Sequence, residues 1–155
     1  MEINFSLLEK EIFNLLDDKR VMVLATSCND LVTAGSMSCV IIKNKIYFQT
    51  DKTFLKYRQI LENPNVALCV DNVQVQGVAS IKQHPFLGEN REFIDKFRER
   101  YRSSYDKYSH MTNEVVIEVE PTFIVVWKYE NNQPFREFLD IRNHKAYRKN
   151  YDITV

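Results

Sequence analysis

The feature that most constrains this chain is the way its apolar residues fall into short runs, each closed by a turn pair. "VMVLATSC" (Val21 to Cys28) is too apolar and too short for a helix with one wet face, so it predicts a strand covered on both sides. Asn29-Asp30 supplies turn chemistry, and "LVTAGSMSCVII" (Leu31 to Ile42) returns as the second strand of a hairpin. Lys43-Asn44-Lys45 predicts a further tight turn before the strand "IYFQT". "NVALCV" and "VQVQGVASI" make two more strands joined at Asp71-Asn72. "EVVIEVEPTFIVVWKY" predicts a long strand with Pro121 marking a bend or an edge, and "FREFLDI" pairs with it across Asn131-Asn132-Gln133-Pro134.

Helical periodicity appears between these runs. Ser6-Leu7-Leu8-Glu9 reads as a capping box, and Leu8, Ile12, Leu15 and Leu16 continue as an apolar stripe ending near Lys19. Thr53 to Glu62 sets Phe54, Tyr57 and Leu61 on one face and stops at Asn63-Pro64, because proline disfavours a helical conformation in the residue before it. From Glu89 to about Tyr101, Phe93, Ile94, Phe97 and Tyr101 recur at helical spacing among charges. A short helical tail is expected near Lys145 to Lys149. Roughly six or seven strands with helices inserted and short hairpin connections predict a mainly β fold, an antiparallel barrel with helical additions.

With 155 residues, three glycines, four prolines and no linker, residues 1–155 read as one domain able to bury a core. The 21 basic and 21 acidic residues cancel, which gives no electrostatic reason to expect nucleic acid or an anionic membrane as partner. No apolar run approaches the roughly 20 residues of a membrane span, and the charged start "MEINFSLLEKEIF" is unlike a signal peptide. Cys28, Cys39 and Cys69 form no C-x-x-C pair and sit in apolar runs, so they read as reduced, mostly buried thiols of a cytoplasmic protein. Their spacing to His84, His110 and His144 matches no ligand pattern, and no metal is expected.

One corner stands out for chemistry. Thr50 ends a strand and Lys56 lies about one turn into the next helix, where free backbone N–H groups attract phosphate. The bland reading is a solvated lysine and a helix capped by Thr50 or Asp51. Ser36 and Ser38 put two hydroxyls on one side of an otherwise apolar strand, with Met37 and Cys39 on the other, which reads equally as a polar site or a partly wet strand end. Gln74 and Gln76 alternate toward one face, which a solvent-facing side explains adequately, while Gly77 within a strand suggests a bulge or a close backbone approach. Tyr101, Tyr105 and Tyr108 with Arg98, Arg100 and Arg102 read as the exposed flank of one helix and its trailing loop. No catalytic triad context, G-x-S-x-G, P-loop or Rossmann fingerprint occurs, so catalytic residues stay unassigned and reactive chemistry would have to come from a cofactor.

The order of these elements over Val21 to Trp127, and above all "IYFQTDKTFLKYRQILENPNVAL", resembles the FMN-binding split-barrel family. That family includes pyridoxamine 5'-phosphate oxidases, general-stress flavoproteins and nitroimidazole-resistance reductases. The resemblance implies a homodimer with FMN in a groove between two barrels. It also implies that Gln49 and Thr50 contact the flavin or its phosphate tail, and that Lys56 pairs with the phosphate. Ser36, Met37 and Ser38 would border the isoalloxazine ring, with Gln76 near its far side. The implied activity passes electrons from a reduced nicotinamide to a small acceptor, the flavin N5 carrying the hydride. The alternative is a degenerate flavin-binding barrel acting as sensor or carrier, and more remotely a site for another planar ligand such as haem or a deazaflavin.

Two departures are visible. Ala34-Gly35-Ser36 stands where many relatives carry a phosphate-holding arginine, and Phe54 stands where many place a serine two residues before the lysine. The C-terminal "FREFLDIRNHKAYRKNYD" has no counterpart of the oxidase's basic, tryptophan-containing substrate terminus, so the likeness is one of fold and cofactor rather than substrate.

Overall fold

The hairpins of this chain turn on asparagine, aspartate and lysine rather than glycine. In the computed structural model, which describes residues 1–153, positive φ occurs at Asn29-Asp30, Lys43-Asn44 and Asn131-Asn132. Two successive left-handed residues make turns whose twist matches that of the flanking strands, and asparagine and aspartate tolerate this conformation best after glycine. The turns predicted at these pairs are all present.

Helix α1 (Phe5–Asp18) leads into strands β1 (Val21–Cys28), β2 (Leu31–Ser38), β3 (Val40–Ile42) and β4 (Lys45–Asp51). Helix α2 (Leu55–Glu62) follows, then β5 (Asn65–Val70), β6 (Val73–Ile81) and helix α3 (Arg91–Arg100). A helical turn (Arg102–Ser104) and a π-helical turn (Tyr105–Ser109) lead to β7 (Glu114–Glu130), β8 (Gln133–Asp140) and β9 (Lys145–Asn150). The strands form a single nine-stranded sheet in the order β2-β1-β5-β6-β7-β4-β3, with β8 and β9 branching from β7. All its ladders are antiparallel.

The split comes from β7, whose 17 residues pair with β6 along one edge and with two different strands along the other. Its first part pairs with β4 up to Val119, and its second part, from Phe123, pairs with β8. Pro121 lies at the changeover, opposite the register shift between Gln76 and Gly77. A Cβ on Gly77 would stand 2.6 Å from Val119 Cγ1 and 2.8 Å from the Glu120 carbonyl oxygen. Gly77 therefore serves both readings made from sequence, a bulge and a close backbone approach. The fold is mainly antiparallel β with helical additions, an open sheet of split-barrel type.

The core has two parts. Leu16, Met22, Leu24, Phe48, Leu68, Ile117, Ile124 and Leu139 centre the larger cluster, against which α1 packs. Val40, Ile42, Val116 and α3 residues Phe93, Ile94 and Phe97 form the smaller one. Ile117 and Val116, neighbours on β7, point into different clusters, so the sheet separates them.

Several local expectations are corrected. Asn4, not Ser6, caps α1, its Oδ1 accepting the Leu7 N–H at 3.0 Å; Ser6 lies inside the first turn. The strand expected over Leu31 to Ile42 breaks at Cys39, whose N–H donates to the Arg20 carbonyl. The expected tail helix is strand β9, because the open edge of β8 offers a full ladder of hydrogen bonds that a short isolated helix lacks. Ala146 is buried there and Tyr147 stacks on Phe138 with ring centroids 4.8 Å apart. Cysteines 28, 39 and 69 are free thiols, but only Cys39 is buried; Cys69 faces outward opposite Val23. No helix among the described residues is long and apolar enough to cross a membrane.

Candidate functional site

Strand β3 covers only the first half of β4, from Lys45 to Tyr47. Beyond Tyr47, β4 runs on paired to β7 alone, and a cavity of about 360 Å³ opens at its far end. Residues 36–38 at the end of β2 and 49–51 at the end of β4 line it, together with Phe54 and Lys56. Phe97, Ser104, Tyr108, Met111 and Glu114 complete the lining.

Helix α2 reaches this cavity because buried polar contacts fix it to the β1–β2 hairpin. Gln59 Oε1 accepts from Thr26 at 2.6 Å and from Thr33 at 2.9 Å, while its Nε2 donates to the Leu31 carbonyl at 3.1 Å. Asn63 Nδ2 adds a bond to the Ser27 carbonyl at 3.0 Å. The buried face of α2 is thus Gln59 and Ile60, whereas Phe54 and Leu61, expected on an apolar face, are exposed. Helical spacing puts Lys56 on the same side as Gln59, Ile60 and Asn63.

Lys56 is half-buried and has no ion pair among the described residues; its Nζ lies 3.3 Å from Met37 Sδ and 5.8 Å from the centre of the Phe54 ring. Burial holds its pKa below the ordinary lysine value. Thr50 is 3 % exposed, and its Oγ1 has no hydrogen-bond partner among the described residues. Asp51 Oδ1 accepts from the Thr53 N–H and hydroxyl ahead of the helix, and α2 itself begins without a side-chain cap. A buried orphan hydroxyl costs roughly 1–3 kcal/mol, so it marks a place where an acceptor or donor is missing. Uncapped helical N–H groups, an unpaired ammonium and an orphan hydroxyl together suit an anion.

The lining also carries a second carboxyl besides Asp51. Glu114 is 7 % exposed and sits directly opposite Asp51 in the β4–β7 ladder. Burial and the Asp51 charge push its pKa up to about 7, against the pull of a hydrogen bond from Gln49. Gln49 Nε2 donates to Glu114 Oε1 at 3.2 Å, and Gln49 Oε1 accepts from the Ser109 hydroxyl at 2.8 Å. Ser109 is fully buried at the end of the π-helical turn. Such turns occur often at functional sites.

Of the residues singled out in sequence, Ser36, Met37, Ser38, Gln49, Thr50 and Lys56 all line this one cavity. Gln76 does not. It borders a separate cleft with Asn65, Thr122 and Arg142, so the single chain does not bring it to the others. Glu114, Ser109 and Met111 went unnoticed, and Tyr108, read from sequence only as part of an exposed flank, lines the cavity as well. Glu114 opens a strand with further glutamates at 118 and 120, and nothing local distinguishes a buried carboxyl there from a solvated one.

The family model for Pyridoxamine 5'-phosphate oxidase matches residues 8–128. The search of curated proteins gave no match. Among solved structures, General Stress Protein 26 from Bacillus anthracis str. Sterne is 25% identical with a TM-score of 0.63, covering 76% of this chain and 91% of that one. A FAD-binding protein from Mesorhizobium loti is 17% identical with a TM-score of 0.62, covering 74% of this chain and 88% of that one. HutZ, the heme storage protein from Vibrio cholerae, is 15% identical with a TM-score of 0.61, covering 77% of this chain and 91% of that one. The last two likenesses concern the fold. With a matched segment that runs from α1 into β7, the chain belongs to the Pyridoxamine 5'-phosphate oxidase family.

Proposed function

We propose that this protein binds FMN, with the phosphate seated at Thr50, Lys56 and the start of α2, and acts as a flavin-dependent oxidoreductase. One observation carries the reading: a buried Thr50 hydroxyl without a partner lines the same cavity as an unpaired, half-buried lysine. Phosphate oxygens would satisfy both. Ser36 and Ser38 have hydroxyls without protein partners among the described residues, and Met37 packs against the core between them, which suits the edge of a planar ring. Bound FMN would supply hydride chemistry, with a reduced nicotinamide as donor and a small molecule as acceptor. The chain's own share is to hold the phosphate, orient the ring and exclude water.

A homodimer belongs to the proposal. Val21, Val23 and Val32 on β1 and β2 are 49%, 39% and 67% exposed, so the outer face of these strands lacks the cover their sequence predicts. A second copy would cover it. Sedimentation at micromolar concentration checks this, and a species of single-chain mass alone would refute it. The three free thiols fit a reducing cytoplasm.

The test of the cofactor is the visible spectrum of the protein as purified, followed by parallel titrations with FMN and riboflavin. FMN should bind tighter by tenfold or more, since the phosphate supplies charged hydrogen bonds worth about 1.5–3 kcal/mol each. Equal affinities would refute the phosphate seat. A Soret band in place of flavin bands would favour haem, as the name of HutZ suggests for that relative.

A further inference from the structure

We propose that Glu114 is a ligand-binding residue of this cavity that works as a neutral acid, holding a proton whenever a phosphorylated ligand is seated. The inference rests on reading the cavity as a phosphate-bearing flavin site.

Among the described residues, the cavity wall holds the carboxyls of Asp51 and Glu114 and one ammonium, that of Lys56. With both acids ionised, two negative charges face one positive charge, and a phosphate monoester adds between one and two more. Asp51 and Glu114 are direct cross-strand partners, a placement in which like charges oppose each other. One of the two must yield. Asp51 accepts hydrogen bonds from the Thr53 N–H and hydroxyl, and these hold its carboxyl below the usual carboxylate range. Glu114 is buried and receives a single side-chain hydrogen bond, from Gln49 to Oε1. The proton therefore belongs on Glu114.

Geometry fixes where that proton goes. Ser109 holds the Gln49 amide by its oxygen, so the Gln49 nitrogen stays on Glu114 Oε1. Glu114 Oε2 has no partner among the described residues and is left to carry the proton into the cavity as a hydrogen-bond donor. A neutral acid adds a donor to the wall without repelling phosphate, and ionisation reverses both effects.

Other titratable groups surround this one. Asp51 lies on β4, Lys56 on α2 and Tyr108 on the π-helical turn. Lys52 follows Asp51, its N–H bonding to the Asn113 carbonyl, and His84 contacts the Met111 carbonyl at 2.9 Å, behind the Glu114 N–H. Any pH profile contains their contributions and that of the phosphate itself. Comparing parent with Glu114→Gln removes them, because they are common to both.

The experiment is an FMN titration by flavin fluorescence from about pH 5.5 to about pH 8.5, straddling neutrality. The ratio of the parent Kd to the Glu114→Gln Kd should stay nearly constant at the acid end and rise about tenfold toward the alkaline end, the effect of a one-unit increase in the carboxyl's pKa on binding. Asp51→Asn supplies a second variant. Removing its charge should move the break in the profile to lower pH, which a purely structural role for Glu114 would not do. FMN binding with a ratio independent of pH overturns this inference alone. No FMN binding by the parent at any pH overturns the cavity reading and this inference with it.

Discussion

Lys56 Nζ lies 3.3 Å from the Met37 thioether sulfur, and among the described residues it makes no ion pair. A weak acceptor is poor compensation for a half-buried ammonium, so the lysine is poised for a stronger partner.

Lys56→Ala should weaken FMN binding by about 1.5–3 kcal/mol, the scale of a hydrogen bond to a charged group. The melting temperature should hardly move, since alanine is the best helix former and no ion pair is lost. Ser36→Arg should act the other way, adding a cation at the cavity wall. The adjoining Gly35 has no positive φ and open space around it, so the extended β2 backbone can present the new side chain. FMN titrations of both variants check the pair. An affinity within twofold of the parent for Lys56→Ala would return the lysine to an ordinary solvated role.

Thr50→Val separates binding from stability. Valine matches threonine in shape but lacks the hydroxyl, so it removes an unsatisfied buried group from the unliganded protein. The unliganded variant should melt at or above the parent temperature, gaining up to about 1 kcal/mol, while its FMN affinity falls. A variant that loses stability instead would show that Thr50 Oγ1 already has a partner in solution, such as water.

Glu114 makes stability depend on pH. Its folded pKa of about 7 lies above the ordinary 4.5, so the folded protein binds a proton more tightly than the unfolded chain. Its contribution is fully present below about pH 4.5 and is lost as pH rises through about 7. Glu114→Gln should therefore stabilise the protein by roughly 1–2 kcal/mol at alkaline pH relative to the parent, and give little or no gain in acid. Urea midpoints measured below about pH 4.5 and above about pH 7 check the sign.

Gly77→Ala should destabilise the fold by roughly 1–3 kcal/mol, the scale for overpacking. The added methyl would press on the Glu120 carbonyl, which is backbone and cannot swing away as a side chain does. The same change at Gly35, where a Cβ meets nothing within 4 Å, should be nearly neutral. Thermal melts of the two variants form the comparison.

Much of the architecture was legible locally. Turn pairs at Asn29-Asp30, Lys43-Asn44 and Asn131-Asn132 end the apolar runs because their backbones tolerate positive φ. Pro121 and Gly77, far apart in sequence, each announced a break in a strand and prove to face each other across one bulge. The corner with Thr50 and Lys56 was visible because strand, turn and helix follow one another within a dozen residues. Where long-range pairing competes with local preference, local reading failed. The segment from Lys145 became a strand because β8 left an edge to fill, and α2 turned Gln59 inward because Thr26, Thr33 and Leu31 met its amide.

The sequence by itself indicated most of the strands, their turns, the antiparallel class and six candidate residues that share one cavity. Only the tertiary structure decided that Glu114 belongs to that cavity and Gln76 to another cleft. The physical reason is register. Local periodicity tells which face a side chain takes, but Asp51 meets Glu114 only because β4 and β7 pair at that offset, and a carboxyl's charge state follows from what pairing brings beside it.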